Sequence, residues 1–300
     1  MKNNIIRISL SVFFCCIGVF FAILCHSKVK GSVPIRFEGD TNETTDVIII
    51  DDEDIKTIDG YTVKEVLGIS LGKVTTCKSF EVTTTGNSSA IAFGTTTTVN
   101  ISNHRIVKDK EAFIECISES SVGFGTLASQ RFFSSDKVCI RNTKSVKDLK
   151  PDYTDATTET IDNNEYIIRY GWLPYQMNGY IFNDNTYLED PTMTKNDDDT
   201  YTLLVKLDPN SDAAFYYKRE VVTNASATKE PIFKEIQFEI KIDSNFVIHE
   251  VKTHEKYDVT VNMFIDITSE TVTECTDTYN YDNVSFDETL YNYYKSKITQ

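Results

Sequence analysis

Three hundred residues with 45 acidic against 30 basic side chains carry a formal charge of -15. Such a chain lacks the Lys and Arg excess that displaces phosphate counterions, which excludes sequence-independent nucleic-acid binding and disfavours docking on anionic lipid headgroups. The 16 Tyr and 18 Phe, against 12 Gly and 6 Pro, favour strands over disorder, and without its apolar head and polar linker the chain keeps about 230 residues, enough for one sizeable core.

The head places Lys2 and Arg7 before an uncharged apolar run, Ile8 to Cys25. In a helix that run reaches roughly 27 Å, which suits a bilayer crossing and also a long signal-peptide core. Three readings stay open: residues 1–28 as an uncleaved anchor, as a cleaved signal, or as a segment lipidated at Cys25, although Leu24 stands where a lipobox wants a small residue. The short N-terminal tail favours a domain held outside the cell membrane, or secreted if the head is cut. Residues 29–60 include Asp40, Glu43, Asp46 and the run Asp51-Asp52-Glu53-Asp54, and read as an acidic spacer, because like charges extend a linker.

One folded domain is expected over residues 61–290. Thr62-Val63-Lys64-Glu65 is a capping box that opens a short helix, with Gly68 as its end. Thr75 to Thr85, Thr95 to Val107 and Glu111 to Ser121 read as strands, followed by a hairpin of Leu127 to Phe133 and Val138 to Arg141. Short connections between consecutive runs predict a meander. Lys144 to Thr160 is polar and turn-rich, and Asp162-x-x-Glu165 then starts a helix that Gly171 closes. GWLPYQMNGYIF follows with the single Trp, a dense aromatic insert between two sheet halves. Asp197-Asp198-Asp199 reads as a loop tip before a strand, Tyr201 to Leu207, and Asp208-Pro209 starts a helical piece ending in FYYKRE.

The most regular stretch is Ile232 to Tyr281, read as three antiparallel strands. In EIQFEIKI, Ile236, Phe238, Ile240 and Ile242 point one way and the polar residues between them point the other. A second run spans Phe246 to Thr253, and a third, Val259 to Thr278, keeps Val259, Val261 and Met263 in step. Residues 291–300 are expected to dock loosely or fray. The fold class is therefore mainly β (α+β): a curved antiparallel sheet or half-barrel, with short helices over its concave face.

Few motifs carry chemistry. Gly68-Ile69-Ser70-Leu71-Gly72 matches the G-x-S-x-G nucleophile elbow, yet a helix precedes it and a strand follows, the reverse of the order the elbow needs. A hydrolase using Ser70 is thus the remote alternative, and a helix-ending turn the plain one. His249 and His254 are five apart in a strand and face opposite ways, so they do not share a zinc ion. Asp208-Pro209-Asn210-Ser211-Asp212 starts like a calcium loop but has Ala213 for the Gly and Arg219 for the Glu. No cofactor and no metal are expected. Outside the head, Cys77, Cys116, Cys139 and Cys275 are either isolated thiols or disulfide partners, with Cys77 to Cys275 as the pairing that would tie the first strand to the last.

From about Thr75 to Tyr281, the order meander, helical and aromatic insert, meander resembles the half-barrel of bacterial lipoprotein-localisation factors and related lipid-carrying lipoproteins. FKEIQFEIKIDSNFVIHEVKTHEKYDVTV and AAFYYKREVVT are also similar to uncharacterised membrane-attached proteins of low-GC Gram-positive bacteria. The half-barrel resemblance implies a lipid or other apolar ligand against an apolar wall. Ile236, Phe238, Ile240, Phe246 and Val261 would form that wall, beneath a lid of Tyr166, Tyr170, Trp172 and Tyr175. Two further readings stand beside this binding role: a surface interaction domain whose aromatic residues fill its own core, and the Ser70 hydrolase.

Overall fold

A computed structural model describes residues 41–51, 57–122, 126–175, 177, 179–262 and 266–299. The strands are β1 (Ser79–Ala92), β2 (Thr95–Lys108), β3 (Glu111–Ser120), β4 (Leu127–Ser134), β5 (Lys137–Thr143), β6 (Val146–Lys147), β7 (Lys150–Pro151), β8 (Thr157–Asp162), β9 (Thr192–Lys195), β10 (Tyr201–Lys206), β11 (Ile232–Ile242), β12 (Ile248–Asn262) and β13 (Asp266–Asn280). The helices are α1 (Val63–Thr76), α2 (Asn163–Tyr170), α3 (Tyr217–Ala225) and α4 (Glu288–Ile298). Eleven strands form one sheet in the order β8-β5-β4-β3-β2-β1-β13-β12-β11-β10-β9, and β6 and β7 pair separately. All the pairings are antiparallel, and β8 and β9 are the two free edges of an open sheet.

The chain builds this sheet as two meanders. The first runs outward from β1 to β8, the second runs inward from β9 to β13, and the two meet where Glu81 of β1 stands opposite Asn280 of β13. Two-residue turns with left-handed backbone close the tight hairpins, at Phe93-Gly94 (φ 51° and 74°), Asp109 (φ 57°) and Ser135 (φ 60°). That hand matches the right-handed twist of the strands they join.

Several boundaries depart from expectation. The predicted capping box forms, with the Thr62 hydroxyl accepting from Glu65 N and the Glu65 carboxylate accepting from Thr62 N at 2.7 Å. Gly68 does not end α1, however, and the helix continues to Thr76. The two glycines serve close approach instead. Ile48 N donates to Gly68 O at 3.0 Å, and a Cβ on Gly72 would lie 2.2 Å from Ile48 O. Residues 41–51 of the expected spacer therefore pack on the domain, with Asp46 N donating to Phe182 O and Ile48 and Ile50 against the core. The second and third runs of the final meander also divide differently. His254 to Asp258 stay within β12, which runs to Asn262, and β13 begins at Asp266. Met263 lies outside the described residues.

The tail is a docked helix rather than a frayed end. Asp287 caps α4 by accepting from Leu290 N, and the helix lays Tyr294 and Ile298 on the outer face of β3 to β5. There Tyr294 stacks on Phe132 at 5.7 Å and donates to Gln130 Oε1 at 2.6 Å, beside Phe113 and Cys139. Strands β3 to β5 are thus covered on both faces, whereas short helices were expected over the concave face only. Among the described residues no helix is long and apolar enough to cross a membrane, and the Ile8 to Cys25 run lies outside them.

Candidate functional site

The register sets out the inner face, the one beneath the aromatic insert, as transverse rows of side chains. One row reads Phe238, Thr253, Cys275, Gly86, Ile101 and Ser118. A neighbouring row reads Ile240, Val251, Asp277, Thr84, Asn103, Cys116 and Ser129. On the other side lies Ile236, Glu255, Thr273, Ser88, Val99 and Ser120. The apolar end belongs to β11, and across β13, β1, β2 and β3 the floor turns small and polar.

The predicted wall is present and filled. Ile236, Phe238, Ile240 and Phe246 are buried to 3% exposure or less. Tyr180 and Phe182 of the insert each sit 5.1 Å from Phe238, Tyr61 meets Phe246 edge-on at 5.4 Å, and Val261 is partly buried against the same core. The predicted lid residues lie elsewhere. Tyr166 and Tyr170 stack at 4.5 Å over β4, where Tyr166 meets Phe133 edge-on at 4.6 Å. Trp172 donates to Glu220 Oε2 at 2.6 Å, and Tyr175 donates to Lys110 O at 2.9 Å. The fold does not bring the expected wall and lid together around one space.

The polar floor is different. Thr84, Asn103, Cys116, Cys275 and Asp277 are each partly open to solvent, yet burial pushes both thiols up, Cys275 to about 12, and raises the Asp277 carboxyl. Residues that keep partial exposure while closely surrounded by protein make this stretch the candidate recess of the inner face. Two cations border it. Arg131 donates to Tyr166 Oη at 3.1 Å, covers the Tyr170 ring at 4.0 Å and reaches Glu220 at 3.9 Å. Arg105 lies against the Phe80 and Trp172 rings and donates to Met177 O at 3.2 Å. The third border is Glu255, whose carboxyl burial pushes up to about 7 while the Tyr180 and Tyr217 hydroxyls oppose the shift. Of these recess residues the sequence points only to Cys116 and Cys275, and to those as thiols or disulfide partners rather than as the floor of a site. Glu255 was findable, because carrying the Val251, Thr253 alternation on to Tyr257 and Val259 places it on the inner face.

The remaining candidates resolve simply. Ser70 is buried inside α1, where its hydroxyl donates to Val66 O at 2.9 Å, so it is neither on a turn nor open to a substrate. Cys77 and Cys275 are both free thiols. Cys275 stands opposite Gly86, well down β1 from Cys77 and on the order of 20 Å away at about 3.3 Å per residue, beyond disulfide reach. His249 pairs with Asp243, and His254 lies between Glu235 and Glu274. No metal-binding group of His, Cys, Asp and Glu occurs among the described residues.

No protein-family model matches the chain, and no curated protein does. Among solved structures it is similar to the ywiB protein from Bacillus subtilis, at 11% identity over 68% of this chain and 92% of that one, with a TM-score of 0.21. It is also similar to a DUF1329 family protein from Desulfovibrio piger, at 11% identity over 76% of this chain and 98% of that one, with a TM-score of 0.28. At such scores neither likeness carries an argument about the site.

Proposed function

We propose that the domain is a binding module, held outside a membrane by its N-terminal apolar run, that takes a small polar ligand into the inner-face recess. A lipid would need the wall of Ile236, Phe238 and Ile240, which Tyr180 and Phe182 already cover. The observation that carries the proposal is the recess floor, where Cys116 and Cys275 stay partly solvent-open although protein surrounds them closely enough to raise their thiols. Enclosure with access is what a ligand site requires.

The test uses those thiols. At pH 9, a small methanethiosulfonate reagent should modify Cys116 and Cys275 in the native protein, as read by peptide mass spectrometry, and spare the fully buried Cys139. If the two floor thiols stay as silent as Cys139 until the protein unfolds, the recess is closed and the proposal fails. A second reading, a protein-interaction domain, is favoured by Phe93, which is 81% exposed at the β1–β2 tip beside exposed Ile91. A photo-crosslinker placed at residue 93 that captures nothing on intact cells would dispose of it.

A further inference from the structure

Glu255 occupies the inner face of β12, is 3% exposed, and its Oε2 accepts no hydrogen bond. The Tyr180 and Tyr217 hydroxyls serve the carboxyl, but a buried carboxylate oxygen left without a donor is still costly, and such groups are ordinarily paired or neutralised. Every titratable group acting on it is acidic or neutral. Tyr180 approaches from the insert, Tyr217 and Glu220 from α3, Asp277 and Cys275 from β13, and Tyr257 from β12 itself. Among the described residues no Lys, Arg or His forms an ion pair with Glu255. Glu220, by contrast, has Arg131 and the Trp172 indole. When ionised, Glu255 is therefore a buried negative charge that forms no ion pair with the basic residues around it.

The surroundings of that charge are aromatic. Tyr180 lies 4.7 Å from Tyr217, Tyr217 lies 6.1 Å from Phe233, and Phe233 lies 4.9 Å from Tyr257, centroid to centroid. Ring faces attract a cation through their quadrupole, more so where water is excluded. An acceptor oxygen lacking a donor, on a face this rich in rings, asks for a cation that also carries N–H.

We propose that Glu255, with the rings of Tyr180, Tyr217, Phe233 and Tyr257, forms a subsite for the protonated amine of a small ligand that occupies the recess. This rests on the reading of the recess as a ligand site and adds the chemistry of what enters it. The free Oε2 separates two classes of cation. A primary ammonium fills it with a hydrogen bond, whereas a quaternary ammonium has none to give.

The experiment titrates the purified full-length protein at pH 8 with ethanolamine and, separately, with choline, its N-trimethyl counterpart, following the shift in the unfolding midpoint and the rate of Cys275 modification. Ethanolamine should raise the midpoint and slow the labelling, with choline at least tenfold weaker. Glu255→Gln should weaken the ethanolamine effect at least tenfold. Wild-type protein at pH 5, where Glu255 holds its own proton, should match the variant and so guards against a variant that folds poorly. Equal responses from wild type and Glu255→Gln, an equal response to choline, or no response to ethanolamine would each overturn the proposal. If Cys116 and Cys275 label readily while ethanolamine does nothing, the recess stands and only its assigned chemistry falls. If neither thiol labels, the recess reading falls first and takes this one with it.

Discussion

Burial raises the Glu255 carboxyl from its ordinary 4.5 to about 7, so between those values the folded protein keeps a proton that the unfolded chain has released. Stability therefore falls as pH rises from about 4.5 to 7 and is flat above, with up to about 3 kcal/mol lost across the window. Asp277, also raised by burial, adds a loss of the same sign. Glu81 runs the other way. The His104 ring at 2.6 Å holds its carboxyl below the usual range, so its contribution is lost as pH falls. Glu255→Gln keeps the shape and removes the titration, and urea unfolding should find it more stable than wild type at pH 8 and nearly equal at pH 5. A variant whose stability drops in parallel with wild type between those pH values would show that Glu255 does not titrate there. This residue was hidden in the sequence because His254-Glu255-Lys256 reads as a polar break, whereas the alternation passes straight through it.

At the scale of elements, the correct readings were those with a local cause. The Thr62 capping box and the Gly171 end of α2 depend on a few neighbouring residues, and both form as the sequence implies. Gly68 was misread because a helix-ending glycine and a glycine that admits another chain segment look alike from one sequence. Gly72→Ala tests the second role. With Ile48 O 2.2 Å from the new Cβ, it should destabilise the protein by roughly 1–3 kcal/mol, as overpacking does, although alanine is the better helix former. A neutral or stabilising effect in denaturant unfolding would mean that residues 46–50 do not press on α1. The docking of α4 was legible in principle, since Leu290, Tyr294 and Ile298 recur at a spacing of four behind an Asp cap. Tyr294→Ala should cost roughly 3–5 kcal/mol. It should also open Cys139 to thiol reagents in the native state, and a Cys139 that stays protected would show that α4 is not what covers β5.

For the whole molecule, the sequence order of meander, insert and meander carried over into one sheet, because hairpin connections determine neighbours and those connections are short. What it left out was which faces are covered, since that depends on segments far apart in the chain. The inner face takes its aromatic cover from residues 166–182 and 217, and the outer face of β3 to β5 takes its cover from α4. The seam between the meanders is similarly non-local. At its centre Gly86 faces Cys275, and a Cβ there would lie 2.3 Å from Glu274 O and 2.6 Å from Cys275 Sγ. Gly86→Val should therefore part the two halves locally. Hydrogen exchange should then accelerate in β1 and β13 while β4, β5 and β11 keep their protection, and uniform protection throughout would show the seam to be more yielding than its geometry implies.

That seam also orders events in time. Glu81 is made 199 residues ahead of its partner Asn280, so over that stretch of elongation the growing polypeptide carries β1 with one side of its backbone unsatisfied. An unclosed strand border invites pairing with other chains. Its Thr85, Asn87, Ser88 and Ser89 make that border polar and a poor template for greasy self-association until β13 emerges to cover it.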